Sequence, residues 1–194
     1  MQSYIDSTKL LELLFEELKI ANKRVESSNE KIDRRFYFRI AFSTIEASLS
    51  LIRKLLLEFH SNNEIKLKPA QLVLLNEKIF DVKDNGEIYE KPFFISFKRN
   101  IKFTFRLCTD VLNLNFKVDY KEPGWQDLVK SNSLRNDITH PRKIDDLEIS
   151  ETQTSTLTNG IMWYMNNHQN LFDEIQKKMN QQTIEIKNEI EKLK

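Results

Sequence analysis

Glycine and proline are scarce in this chain. Three Gly and four Pro in 194 residues leave little material for the many tight turns of an all-β fold, so the scarcity predicts long helices and few turns. Cysteine is scarcer still. The one Cys, Cys108, excludes an intramolecular disulfide framework and a Cys-rich zinc site. It stands in the apolar context FRLCTDVL and reads as a small core residue rather than a nucleophile. A long uncharged apolar run is also missing. The most apolar segment, IAFSTIEASLSLIRKLLLEF, carries Glu46, Arg53 and Lys54, which a bilayer core disfavours strongly. The opening MQSYIDSTKL has no basic start followed by an apolar stretch, so no signal peptide is expected. Nor does charge of one sign dominate. Lys and Arg number 30 against 29 Asp and Glu, a formal net charge of +1. No global field draws nucleic acid, and any such role must rest on a local patch. Together these absences predict a soluble, cytoplasmic protein without a membrane partner.

What is present is helical periodicity. Hydrophobic residues make up 40% of the chain, enough for a real core in a single domain spanning 1–194. Leu11, Leu14, Leu18, Ala21 and Val25 recur at three- and four-residue steps and predict a helix over about 4–30. A second helix is predicted over 33–60, with Phe38, Phe42, Ile45, Leu49, Ile52 and Leu56 on one stripe. Pro69 suits the first turn of a third, over 70–79, with Leu72, Leu75 and Ile79 on one face. The stretch DVKDNGEIYEKPFF is the least helical. Its Asn85-Gly86 is a hairpin-turn dipeptide and Pro92 blocks a helix, so an irregular insert or short two-stranded ribbon is expected near 81–96. A fourth helix follows over 97–112, then the loop NFKVDYKEPGW, a fifth helix over 125–139, the extended connector PRKIDDLEIS, and a long last helix from about 151. In its tail, 171–194, Met179, Thr183, Ile186, Ile190 and Leu193 alternate by four and three. That spacing fits a coiled-coil seam, a dimer element or an antiparallel partner for the first helix. The expected fold is an all-α bundle of five to six helices.

One stretch, SLRNDITHPRK at 133–143, is chemically distinctive. At 100° per residue, Leu134 and Ile138 lie about 40° apart on the core side, while Asn136 and His140 lie about 40° apart on the opposite side, with Arg135 at the flank. The residue before a proline is pushed out of the α region, so Pro141 ends the helix at or just before His140. Arg135 and His140 are five positions apart, about 140° on an ideal helix. The two can converge only because the helix stops there.

The spacing of Arg135, four intervening residues and His140, the RN start, the HP finish and the helical context together resemble the HEPN superfamily. The likeness covers about residues 30–170. It extends to the flanks GWQDLVKSNS and PRKIDDLEIS and to FSTIEASLSLIRK, where Glu46 sits inside a core-facing helix. The resemblance implies an HEPN-like helical bundle and a metal-independent endoribonuclease, with two Arg-His motifs meeting at a homodimer interface. Such a site suits RNA cleavage by the substrate's own 2′-hydroxyl, which needs a base for the 2′ proton and an acid for the leaving 5′ oxygen. Imidazole suits both tasks. One His cannot easily stand on both sides of the phosphorus, whereas two related by a twofold axis can. On this reading His140 is the acid–base group and Arg135 the planar cation for the phosphate. Asn136 orients the phosphate or His140, and Glu46 pairs with Arg135 or holds His140. Products would carry a 2′,3′-cyclic phosphate and a 5′-hydroxyl. No cofactor or metal is expected, because His60, His140 and His168 are scattered and no carboxylates pair at ligand spacing.

Each of these assignments has a plainer counterpart. Glu46 lies at the edge of an apolar stripe and also reads as a solvated helix residue. Lys98, Arg99, Lys102 and Arg106 form a basic stripe, Arg142-Lys143 follow the motif, and Arg34, Arg35 and Arg39 cluster upstream. Of these, Arg99, Lys102, Arg142 and Lys143 are the candidate RNA-backbone contacts, against the alternative of a solvated basic face. Trp125 and Trp163 read as core anchors rather than base-stacking platforms. The expected setting is a bacterial toxin–antitoxin or phage-defence system, with an antitoxin or regulatory protein as partner. The alternative is a non-catalytic HEPN-like module that binds a nucleotide, RNA or protein.

Overall fold

The structure is a computed structural model. It describes the backbone of residues 2–28 and 30–192, and side chains there except at 2–5, 182, 185, 186, 188–190 and 192. Among the described residues the chain forms an all-α bundle of six α-helices with a small two-stranded ribbon. Helix α1 (Gln2–Ser28) folds back along α2 (Lys31–Ser61). Thr44 Oγ1 donates to the Leu14 carbonyl and Lys54 Nζ to Ser7 Oγ, which fixes the antiparallel register. Helix α2 lies at the centre, touching α1, α4, α5 and α6. Phe38, Phe42, Ile45, Leu49, Ile52 and Leu56 are all essentially inaccessible along it. Burying each such side chain contributes about 1.5–3 kcal/mol, so this one stripe organises the bundle.

Helix α3 (Pro69–Leu75) begins at its proline as expected but ends four residues early. Asn76 caps it, and Glu77 turns into the left-handed region at φ 53°. The chain leaves that point as a strand, so Ile79 lies in β1 (Lys78–Val82) rather than on the helix face. β1 pairs antiparallel with β2 (Ile88–Pro92), Phe80 opposite Glu90 and Val82 opposite Ile88. The insert is thus a hairpin that starts three residues before the expected boundary. Its turn closes with the Gly86 N–H on the Lys83 carbonyl at 2.8 Å, and Gly86 has φ 85°, a conformation that costs glycine little. Arg53, buried on α2, anchors the hairpin base. Its guanidinium meets Glu77 Oε1 at 2.5 Å and Asn100 Oδ1 at 3.3 Å.

Helix α4 (Phe97–Leu112) packs Ile101, Phe105 and Cys108 inward. Cys108 is a core residue, its thiol pushed up to about 12 by burial. Helix α5 (Pro123–Thr139) runs antiparallel to α6 (Glu151–Lys192), and two glycines set their spacing. A Cβ on Gly160 would stand 2.6 Å from the Leu128 backbone nitrogen, and one on Gly124 would stand 2.4 Å from the Trp163 Cβ. Trp125 and Trp163 are core anchors, their ring centres 5.3 Å apart. The connector after α5 is not wholly extended. It contains a single 3-10 turn, Ile144–Leu147, because the Asp146 carboxylate accepts from the backbone N–H groups of Arg142 at 2.8 Å and Lys143 at 3.2 Å.

Among the described residues α1 pairs antiparallel with α2. In the expected C-terminal seam, Met179 and Thr183 are exposed, while the Ile186 and Ile190 side chains and Leu193 lie outside what is described. No helix among the described residues is long and apolar enough to cross a membrane.

Candidate functional site

The last two turns of α5 carry the Arg-Asn-His stretch, and their orientation follows from packing. Ile138 is fully buried and Leu134 half-buried, while Asn136 and His140 are exposed. Arg135 stands between the two faces, over α2. Its Nη2 meets Glu46 Oε1 at 2.7 Å, and its Cζ lies 5.9 Å from the centre of the Phe42 ring. Its Nη1 also donates to the neighbouring Asn136 Oδ1 at 3.3 Å. Three of the four predicted catalytic residues, Glu46, Arg135 and Asn136, are therefore brought together across two helices. The Glu46 carboxylate is half exposed and the Arg135 side chain less so. The pair is a bounded surface interaction, not a buried ion pair.

His140 closes the helix. Its backbone N–H donates to the Asn136 carbonyl at 3.0 Å, and its φ of −127° and ψ of 61° take the chain out of the α region before Pro141. Thr139 Oγ1 donates to the Arg135 carbonyl at 2.7 Å, tightening the same turn. The imidazole is exposed and makes no side-chain hydrogen bond among the described residues. The arrangement offers a guanidinium oriented by a carboxylate from α2 and a carboxamide on α5, with a solvent-facing imidazole at the end of the same helix.

The basic candidates divide. Arg142 and Lys143 are exposed and adjoin His140 in sequence, with Lys143 Nζ 3.7 Å from Asp145. Asp146 is held below the usual carboxylate range, first by its bond from the Arg142 backbone N–H. Lys102 lies elsewhere. Its ammonium sits over the rings of Tyr120 at 4.7 Å and Trp125 at 5.2 Å. Trp125 is in the first turn of α5, roughly 15 Å along the helix axis from Arg135 at 1.5 Å per residue. Arg99 is exposed in the first turn of α4, two residues past Phe97, whose ring lies 5.2 Å from that of Phe42. Arg106 pairs with Asp110 at 3.5 Å.

Sequence reading missed what Arg34, Arg35 and Arg39 do. Arg34 Nη1 donates to the Ile149 carbonyl at 2.7 Å and Arg35 Nη1 to the Leu147 carbonyl at 3.0 Å. Arg39 Nη2 donates to the Ile138 carbonyl at 3.4 Å. Spacing places Arg35 and Arg39 on one stripe of α2 with Phe42 and Glu46, but it does not name the carbonyls they meet. A hydroxyl bridge inside the core, Ser48 Oγ to Tyr164 Oη at 2.5 Å, was not foreseen either. No three His, Cys, Asp or Glu side chains among the described residues gather in a way that would hold a metal ion. No known family model, curated protein or solved structure matches this chain.

Proposed function

We propose that the chain is a metal-independent endoribonuclease of the HEPN type, acting as a homodimer in which the two Arg135–His140 motifs form one composite site. The observation that carries this reading is the meeting of Glu46 with Arg135 and Asn136 on the helix whose C-terminal end carries a solvent-facing His140. In the reaction His140 of one copy takes the 2′ proton and His140 of the other protonates the leaving 5′ oxygen. Arg135 binds the phosphate and the charge that grows on it. Asn136 and Glu46 hold the guanidinium in plane, and Arg142 and Lys143 extend the contact along the RNA backbone. An enzyme of this kind needs restraint in a cell, so an antitoxin or regulatory partner belongs to the proposal.

A second reading has its own support. Glu46 already occupies the Arg135 guanidinium, as expected of an ion pair that only docks α5 on α2 in a non-catalytic module. Expressing the parent chain beside Arg135→Ala and His140→Ala separates the two. The ribonuclease reading expects growth arrest and fragmented RNA from the parent alone. Intact RNA in all three cultures sinks it, and a purified parent that is a monomer sinks the composite-site mechanism.

A further inference from the structure

Helix α2 touches the Arg-His stretch at more than the Glu46 pair. Arg35, Arg39, Phe42 and Glu46 occupy positions i, i+4, i+7 and i+11, which is a single stripe on a helix. Every member of that stripe engages α5 or the segment after it. Glu46 and Phe42 take the Arg135 guanidinium. Arg39 takes the Ile138 carbonyl, two residues before His140, and Arg35 takes the Leu147 carbonyl, seven residues after it. The segment that carries His140 is thus tied to α2 on both sides, while the His140 ring itself is bound to nothing described. Arg34, one residue off the stripe, extends the tie to the Ile149 carbonyl, and Lys31 pairs with Glu148 at 2.6 Å.

We propose that Arg35 and Arg39 are positioning residues for the Arg135–His140 site. They do not touch RNA. They fix the turn from which His140 departs, relative to the same helix that holds Arg135. The last carbonyls of a helix are unpaired within it and are commonly met by a basic side chain near its end. Here Arg39 supplies that contact from a neighbouring helix. The nearest basic residue of α5's own terminus, His140, is left with its ring in solvent. The Arg35 bond at 3.0 Å is the shorter and the Arg39 contact at 3.4 Å the longer, and the two act from either side on a short segment that has few apolar anchors. Between His140 and Ser150 only Ile149 is buried.

The inference deepens the ribonuclease reading and rests on it for activity, though not for geometry. The test compares the full-length parent with Arg39→Met, Arg35→Met and Arg39→Lys, methionine keeping much of the apolar stem. Two quantities are read, namely backbone amide exchange across the whole chain and the kcat and KM for cleavage of a single-stranded RNA. The Met variants are expected to speed exchange at residues 139–148 by threefold or more, with the centre of α2 unchanged. They should lower kcat about tenfold while KM stays within twofold, and Arg39→Lys should recover part of the loss. Unchanged exchange at 139–148 overturns the proposal. So does a rise in KM at constant kcat, which would make these arginines RNA contacts, and so does faster exchange throughout the chain, which would make them general stabilisers. A parent that leaves RNA intact sinks the ribonuclease reading alone, and the exchange result then decides by itself whether the arginines fix the His140 turn.

Discussion

Replacing Gly160 by alanine tests the packing that places the Arg-His stretch. In an unconstrained helix this change stabilises by about 1 kcal/mol, because alanine is the better helix former. Here the new Cβ would meet the Leu128 backbone nitrogen at 2.6 Å and its Cα at 2.7 Å. Neither atom can rotate away as a side-chain tip could, so α5 has to shift off α6. Overpacking of this sort costs about 1–3 kcal/mol, and a backbone obstacle belongs at the upper end. Setting about 3 kcal/mol of strain against about 1 kcal/mol of propensity leaves a net loss of about 2 kcal/mol. At roughly 2–4 °C per kcal/mol for a chain of this size, the midpoint of thermal unfolding should fall by about 4–8 °C. Thermal unfolding followed by circular dichroism reads this directly. A midpoint that stays put or rises by a few degrees would refute the close approach of α5 and α6 at this position.

Other expectations concern charge and burial. His168 is buried on α6 between the rings of Tyr164 and Phe172, with its Nε2 unpartnered, and burial lowers its pKa from 6.5 to about 4. Above pH 6.5 the ring is neutral in both folded and unfolded chains. As pH falls from there towards 4 the unfolded chain takes the proton first, so stability present above 6.5 is progressively lost, by about 3 kcal/mol in all. Urea unfolding at pH 7 and pH 4.5 should show most of this drop, about 2 kcal/mol, and His168→Phe should shrink it. Arg53→Met removes the cation under the hairpin and leaves Glu77 half-buried without it, a loss of about 2 kcal/mol. Limited proteolysis should then cut first within 77–93. Glu46→Gln breaks a partly exposed pair worth about 0–1 kcal/mol, so its unfolding midpoint should move by under about 4 °C. Any change in RNA cleavage beyond about fivefold then reports on the site rather than on folding.

The helical parts of the fold were legible because their signal is local. The stripe from Phe38 to Leu56 repeats at helical spacing, and all of it is buried on α2. Pro141 announced the end of α5 for a steric reason that holds in any context. The end of α3 was not legible. LLNEKIF keeps the helical spacing through Ile79, and only pairing with residues 88–92 turns Lys78–Val82 into a strand. The candidate site divides in the same way. That Asn136 and His140 face outward could be read from periodicity. The contact of Arg135 with Glu46 joins residues 89 apart, and no spacing rule reaches that far. The arginines at 34, 35 and 39 looked like a solvated cluster because their acceptors are backbone carbonyls of a distant segment, which carry no residue-type signature.

Cleavage by the purified chain tests whether Arg135 and His140 cut RNA. A single-stranded RNA would be incubated with excess chelator and the parent, Arg135→Ala or His140→Ala chain, and the new ends identified by mass. Fragments with 2′,3′-cyclic phosphate and 5′-hydroxyl ends are expected from the parent, and none above background from either variant. Intact RNA with the parent, or equal cleavage by all three chains, would contradict this expectation.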